Sequence, residues 1–251
     1  MEATTLDGLR SLADTGTLAF ARIAACLTTM PALGGARVAV RARLMLAFAL
    51  AAAITPLVPP TPLPDRAPTL ALALGGEMAV GGALGLLARV HYAALRFAGS
   101  VAAASVGFQP LGGVAVEGAE PDGALTALLS LAALMVLFAA DAHHLIVRAL
   151  IDTFEAWPPG DGMASRAGLT ALTDALVSAW RTALSLAAPF LVYGLVVQLS
   201  LGLVNKLAPA VPLYFVGLPL LIAGGLVLLA LGAPDVLLVH LERLPLTLLG
   251  R

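Results

Sequence analysis

Long uncharged stretches dominate this chain, and isolated charges interrupt or end them. Between Thr182 and Pro234 the formal charge is confined to Lys206. The other charged or titratable interruptions are Arg22, Glu77, and the group Asp141, His143 and His144. About 20 apolar residues cross the roughly 30 Å hydrocarbon core of a bilayer, and an ionised side chain at that depth is costly unless it faces protein or water. The sequence therefore predicts a membrane-type protein in which these residues have specific partners or line a path.

The composition agrees with a polytopic membrane protein. Hydrophobic residues make up 60% of the 251 residues and charged residues 12%, whereas about 25% of residues in a soluble domain are charged. The net charge of −1, without a basic block, excludes nucleic acid as a plausible partner. The single cysteine, Cys26, rules out a disulfide within the chain.

Seven apolar segments follow one another, separated by proline, glycine or polar residues. They lie at residues 17–30, 38–58, 69–90, 93–108, 123–150, 169–204 and 211–232, after an amphipathic lead-in over residues 1–14. The first and fourth are short or weakly apolar, so about five to seven helices are expected. Pro189 predicts a kink in the sixth segment. The predicted fold is all-α, a single domain over residues 1–251 built from helical hairpins with kinked or broken helices.

Charge distribution suggests an orientation in the membrane. Seven segments with the amino terminus outside place the acidic residues at 117–122 outside and the carboxyl terminus in the cytoplasm. This arrangement follows the positive-inside rule. The arginines that it places towards the cytoplasm are Arg37, Arg41, Arg43, Arg89, Arg96, Arg148, Arg166 and Arg243.

Small residues and prolines predict close helix packing at two places. Gly81 and Gly85 are four residues apart, a spacing that lets two helix backbones approach closely. Pro189, Pro209 and Pro219 lie with several glycines in the carboxyl-terminal part. Non-helical backbone at membrane depth is tolerated where protein buries it, so these prolines indicate a broken hairpin packed against neighbouring subunits.

The titratable residues do not form a recognisable catalytic or metal centre. Adjacent histidines such as His143 and His144 point about 100° apart on a helix and cannot share a metal as residues four apart can. The sequence also lacks an Asp pair, a Ser/His arrangement or a zinc motif typical of membrane enzymes. We therefore predict no enzyme, no metal and no cofactor, and keep a membrane enzyme centred on the two histidines as a remote alternative.

The buried charges leave two further interpretations open. Arg22, Glu77 and Lys206 could form a relay in a transporter, because ionisable groups at membrane depth often mark ion paths. Secondary transporters usually show repeated halves with matching broken helices, and no such repeat is evident. The alternative function is a proton-linked small-solute transporter that uses Glu77 and Asp141. The favoured interpretation is that each charge pairs within the chain or with a partner subunit.

The order of several motifs resembles the FliR family of flagellar biosynthetic proteins, which are related to the SctT proteins of injectisomes. The resemblance covers nearly the whole chain. It rests on residues 20–25 (Phe-Ala-Arg-Ile-Ala-Ala), 30–34 (Met-Pro-Ala-Leu-Gly), 76–85 (Gly-Glu-Met-Ala-Val-Gly-Gly-Ala-Leu-Gly), 106–110 (Val-Gly-Phe-Gln-Pro), 137–145, 187–191 and 202–219. The chain departs from the family's pattern at Gln198, where an acidic residue is frequent, and at Lys206, where arginine is frequent.

The resemblance implies a non-enzymatic, pore-forming subunit of the flagellar type III export gate in the bacterial inner membrane, at the centre of the basal body. Its implied partners are FliP and FliQ, together with FlhB and FlhA, in a helical multi-subunit assembly that passes unfolded protein substrates. In such an assembly Arg22, Glu77, Asp141, His143, His144 and Lys206 are expected to be buried charges or subunit contacts.

One segment is the best candidate for the pore constriction. Residues 106–120 change from apolar to acidic beside a Gly/Pro break. We expect Phe108, Gln109 and Pro110 to help seal the pore there.

Overall fold

The computed structural model describes residues 2–31, 33, 34, 38–107, 123–139, 141, 143–160, 166–209 and 213–248. All regular secondary-structure elements of these residues are helices, as the sequence predicts. The helices are α1 (Glu2–Thr29), α2 (Val40–Ile54) with a 3₁₀ turn at Thr55–Leu57, α3 (Ala67–Ser105), α4 (Ala124–Ala139), α5 (His143–Ala156), α6 (Arg166–Leu207) and α7 (Leu213–Leu248).

The amino-terminal lead-in and the first apolar segment form a single helix, α1. Leu6, Leu9 and Leu12 at its start are exposed, whereas Leu18 and Ile23 further along are fully buried. The helix ends just before Pro31, which cannot donate a backbone hydrogen bond to continue it. The structure therefore joins two parts that the sequence analysis treated separately.

Helix α3 merges the third and fourth predicted segments and corrects the predicted topology. Its 39 residues extend about 58 Å at 1.5 Å per residue. The predicted boundary between these segments fell at His91 and Tyr92, but both are buried and the helix continues through them. Arg89 and Arg96 consequently lie in the middle of a helix, and the surface loop that the seven-segment topology required there does not exist.

The fifth predicted segment is two helices rather than one. Helix α4 ends at Ala139 and α5 begins at His143. Between them Asp141 has a φ of 54°, a left-handed conformation that aspartate tolerates better than most residues do. A hydrogen bond of 3.0 Å from the His144 N–H to the Asp141 carbonyl starts the new helix. The prediction of one continuous helix over 123–150 is therefore wrong.

The carboxyl-terminal third consists of two long helices. Helix α6 has 42 residues and contains Pro189, whereas Pro209 lies in the turn that follows it. Helix α7 has 36 residues and continues well beyond residue 232, where the sequence analysis ended it. The kink at Pro189 stays a prediction.

Among the residues that the structure describes, three helical stretches are long and apolar enough to cross a membrane: Val40–Leu57, Ala67–Ser105 and Leu176–Leu207. Two shorter apolar stretches, Thr126–Val136 and Gly217–Gly232, accompany them. An all-α membrane-type fold fits these findings, and the orientation of the carboxyl terminus stays a prediction.

The chain divides into two compact units. The first, unit 1, contains Met1–Val90, Asp141–Leu176 and Pro245–Arg251, and the second, unit 2, contains His91–Ala140 and Val177–Leu244. Unit 2 has a core in which Leu95 and Ala98 of α3 pack with Ala133 of α4 and with Leu186 and Ala187 of α6.

Helix α5 is amphipathic, which separates it from the apolar helices. His144, Arg148 and Glu155 are exposed and recur at intervals of four and seven residues, on one face. Ile146, Leu150 and Phe154 are buried. Because a charged helix face is unfavourable against lipid, this face contacts water or a polar protein surface.

We expect a cysteine that replaces Arg148 to react with a membrane-impermeant maleimide in intact membranes, because this face of α5 is polar. A cysteine at Met135, an exposed position of apolar helix α4, should react only after detergent is added. The native thiol of Cys26 is buried, so the unsubstituted chain should stay unlabelled and serve as the blank. Protection of Arg148→Cys until the membrane is dissolved would show that α5 lies in lipid or in a closed interface.

Candidate functional site

Arg22 and Glu77 form an ion pair in the interior of unit 1. The Nε of Arg22, on α1, lies 2.7 Å from Oε2 of Glu77, on α3, and both side chains are 0% exposed. The sequence analysis left open whether these charges pair within the chain or with a partner subunit. The structure pairs them with each other.

The guanidinium of Arg22 also binds the carboxyl-terminal end of α5. Its Nη1 donates to the Thr153 carbonyl at 2.8 Å and its Nη2 donates to the Trp157 carbonyl at 2.9 Å. The Thr153 carbonyl also accepts a hydrogen bond of 2.9 Å from the Trp157 N–H, and carbonyls at the carboxyl-terminal end of a helix carry partial negative charge. The Phe154 ring adds a cation–π contact, with 4.1 Å between its centroid and Cζ of Arg22. Arg22 is therefore surrounded by groups that favour a positive charge.

Glu77 is engaged through both carboxylate oxygens. While Oε2 accepts from Arg22, Oε1 accepts from the backbone N–H of Gly160 at 2.9 Å. Gly160 has a φ of 93°, a conformation that favours glycine. The pair thus joins α1, α3, the end of α5 and the turn that follows α5.

Polar residues of α1 hold the proline-rich segment after α2. The Thr15 hydroxyl accepts a hydrogen bond of 2.9 Å from the Thr61 N–H, and Asp14 accepts one of 3.4 Å from the Leu63 N–H. Prolines leave this segment with few backbone donors of its own and keep it out of a helix. Side chains of α1 take the donors that remain and fix the segment on unit 1.

Gly81 and Gly85 bring α3 against α1. A Cβ at Gly81 would collide with the Arg22 backbone carbonyl, and one at Gly85 would collide with Thr29 and the Cys26 carbonyl. The Thr29 hydroxyl donates to the Gly82 carbonyl at 3.2 Å across the same contact. The structure therefore places both glycines at a close backbone approach.

The remaining predicted residues whose side chains the structure describes are exposed. Asp141 and His144 are exposed, and Lys206 is exposed in the last turn of α6. Pro189, Pro209 and Pro219 are exposed as well. The side chain of His143 and the residues Phe108, Gln109 and Pro110 lie outside the part of the chain that the structure describes.

Glycines make close contacts between α6 and α7 in unit 2, and the packing role predicted for the prolines stays a prediction. Gly217 lies against Leu201, and Gly224 lies against the hydroxyl of Tyr193. That hydroxyl donates to the Leu221 carbonyl at 3.0 Å. Tyr193 had no signal in the sequence, because a tyrosine in an apolar helix is usually ordinary packing.

The arrangement around Arg22 and Glu77 is better suited to holding helices together than to transferring protons or binding a metal. Both oxygens of the buried carboxylate of Glu77 already accept hydrogen bonds, one of them from a cation. Within the described ranges, no group of three or more His, Cys, Asp or Glu side chains is placed to hold a metal ion. These observations define an all-α membrane-type protein whose buried charges join its helices.

The sequence matches the family described as bacterial export proteins, family 1, over residues 14–245. The chain belongs to this family, as a member of its FliR branch.

Its relatives include the flagellar biosynthetic protein FliR of Caulobacter vibrioides, 30% identical over 90% of this chain and 91% of the relative. The FliR proteins of Escherichia coli and Aquifex aeolicus are 28% and 26% identical, over 83% and 86% of this chain and 80% and 84% of their own. The resemblance drawn from the motifs is confirmed.

We expect Arg22→Lys and Glu77→Gln each to lower the free energy of unfolding by about 3–5 kcal/mol, because each leaves a buried group without its partner. Lysine keeps the positive charge, but its single ammonium group cannot reach Glu77 and both the Thr153 and Trp157 carbonyls. The measurement is the denaturation midpoint of the detergent-solubilised protein. Arg89→Lys, at an exposed position of α3, is the matched control and should change little. Equal midpoints for Arg22→Lys and Arg89→Lys would contradict the structural role.

Proposed function

We propose that this chain is a structural, pore-forming subunit of the flagellar type III protein export gate. In this proposal it passes unfolded flagellar substrates across the bacterial inner membrane, within the flagellar basal body and with its carboxyl terminus in the cytoplasm. Its partners are FliP and FliQ, and also FlhB and FlhA. It performs no catalysis. Membership of the export family supports the general role, and the surface of α6 supports assembly with other subunits.

The main support for assembly with other subunits is the exposed apolar surface of α6. The stretch Leu176–Leu207 has 32 residues, and 17% of its apolar 18-residue window is buried inside the chain. Exposed apolar side chains run from Leu176 to Leu207, a length of about 48 Å, and the exposed, charged Arg181 interrupts them near the start. The hydrocarbon core of a bilayer is about 30 Å thick. On an upright helix Arg181 would lie near one surface of that core, so the exposed apolar side chains before it, Leu176, Val177 and Trp180, extend beyond the lipid, and neighbouring apolar subunits would cover them.

The alternative, a proton-linked small-solute transporter using Glu77 and Asp141, has less support. A proton-carrying carboxylate must exchange its proton with a path, but Glu77 is enclosed and bound through both oxygens. Asp141 is exposed at the turn between α4 and α5.

Purification distinguishes the two functions. A gate subunit should leave the membrane in a stable complex with other small hydrophobic proteins, whereas a transporter should act alone or as a homo-oligomer.

We expect Lys206→Ala to reduce the amount of that complex before it changes export per assembled complex. Lys206 is an exposed cation on an otherwise uncharged stretch of α6, so its loss removes a contact rather than a catalytic group. Size-exclusion chromatography of the detergent extract, with export normalised to complex, is the measurement. Lys206→Arg keeps the charge and should assemble normally. Normal assembly with blocked export in the alanine variant would contradict this role.

The constriction proposed at Phe108, Gln109 and Pro110 has its own test. We expect replacement of residues 109–113 by a short flexible linker to increase ion leak through the assembled complex, because the apolar and proline residues that seal the pore are lost. Conductance across a bilayer containing the purified complex measures the leak. A linker of the same composition in place of residues 161–165 is the control. A leak equal to that of the parent complex would place the constriction elsewhere.

A further inference from the structure

Proline controls the backbone of the segment between α2 and α3. From Val58 to Pro64 each residue is a proline or directly precedes one. Proline fixes φ at about −65°, and a residue before proline is confined to extended conformations. Val58 is extended, with a φ of −99° and a ψ of 142°, and residues 59–64 form neither helix nor strand. The sequence therefore confines this segment to the polyproline II conformation.

The burial of the segment agrees with this conformation, because it repeats every three residues. The residues that face the protein, buried or half-buried, are Val58, Thr61 and Pro64. The prolines between them, Pro59, Pro60 and Pro62, are exposed. Polyproline II has three residues per turn, so Pro59 and Pro62 lie on the same side. We call these three exposed prolines the proline ridge.

Side chains of α1 hold the ridge in place. Within residues 59–64 only Thr61 and Leu63 have a backbone N–H, since the others are prolines. The Thr61 N–H donates to the Thr15 hydroxyl at 2.9 Å, and the Leu63 N–H donates to the Asp14 carboxylate at 3.4 Å. Both donors are thus satisfied by unit 1 itself. A segment that is already ordered loses little entropy when a partner binds it.

The ridge lies where a water-soluble surface can reach it. The apolar stretch Val40–Leu57 ends just before it, and Ala67–Ser105 begins just after it. Asp65 and Arg66, which follow the segment, are exposed. Because exposed charges are unfavourable in hydrocarbon, this connection lies outside the hydrocarbon core.

We propose that the proline ridge is a docking site for another protein, which binds it in a groove lined with aromatic side chains. Such grooves recognise polyproline II segments by packing rings against prolines spaced three residues apart. Pro59 and Pro62 have this spacing and are both exposed. The hydrogen bonds from Thr15 and Asp14 present them in the conformation that is bound. This inference goes beyond the proposed function and uses only contacts within unit 1.

The first test is binding of purified SH3, WW and EVH1 domains, whose aromatic grooves accept proline-rich segments, to the detergent-solubilised chain. We expect at least one domain to bind. Combining Pro59→Ala with Pro62→Ala should weaken its binding about tenfold, because two anchoring side chains are truncated. Fluorescence anisotropy of the labelled domain measures the affinity. Pro68→Ala, at an exposed proline in the first turn of α3, is the matched control and should bind like the parent.

A second variant tests the role of the hydrogen bonds. Thr15→Val removes the hydroxyl that holds Thr61 and leaves every proline in place. We expect about fivefold weaker binding, because the freed backbone must then be ordered during binding. The denaturation midpoint of each variant shows whether it is folded. Failure of every domain to bind the parent chain, or equal binding of the parent and the double proline variant, would contradict the inference.

Cross-linking in cells tests for the natural partner. Leu57, which is 70% exposed beside the ridge, is replaced by the photo-reactive residue benzoylphenylalanine. We expect a cross-link to a peptide of another protein that contains aromatic residues, and alanine in place of those aromatic residues should abolish it. Cross-links confined to lipid or to a second copy of this chain would overturn the inference.

Discussion

The buried ion pair between Arg22 and Glu77 is the interaction on which the organisation of unit 1 depends. Two charges removed from water are stable only when their geometry is good and their remaining donors and acceptors are satisfied. Here Glu77 and two carbonyls at the end of α5 receive hydrogen bonds from Arg22, and Gly160 supplies the second hydrogen bond to Glu77. Removing any one of these helices would leave a buried group of this site without one of its partners, so α1, α3 and α5 stabilise one another as a set.

The glycines of α3 explain how this pair can form. Glu77 and Gly81 are four residues apart and share a helix face. Gly81 lets the backbone of α3 meet the Arg22 carbonyl, and Glu77 then lies within reach of the Arg22 side chain. A larger residue at position 81 would push the helices apart and lengthen the contact between the charges. Close backbone packing and charge pairing are therefore parts of one arrangement.

The sequence predicted the members of this site better than its geometry. Arg22 and Glu77 were identifiable because each interrupts an apolar segment, and Gly81 and Gly85 because of their spacing. The groups contributed by Thr153, Trp157 and Gly160 were not identifiable, since they are backbone atoms that any residue could supply. Helix boundaries failed for similar reasons. The predicted boundary at residues 91 and 92 lies inside α3, where both residues are buried, and the left-handed turn at Asp141 has no unique signature.

The charges of this chain fall into two groups that require different environments. Arg22 and Glu77 are neutralised inside the chain, so they need no partner subunit to be stable in an apolar setting. Lys206 is exposed at the end of an uncharged helix stretch whose apolar residues are also exposed. A cation beside so much exposed apolar surface requires either the membrane interface or another protein. Because that surface is longer than the hydrocarbon core, lipid alone does not cover it on an upright helix. The surplus length, more than the ion pair, is therefore what supports the proposal that this chain is a component of a larger assembly.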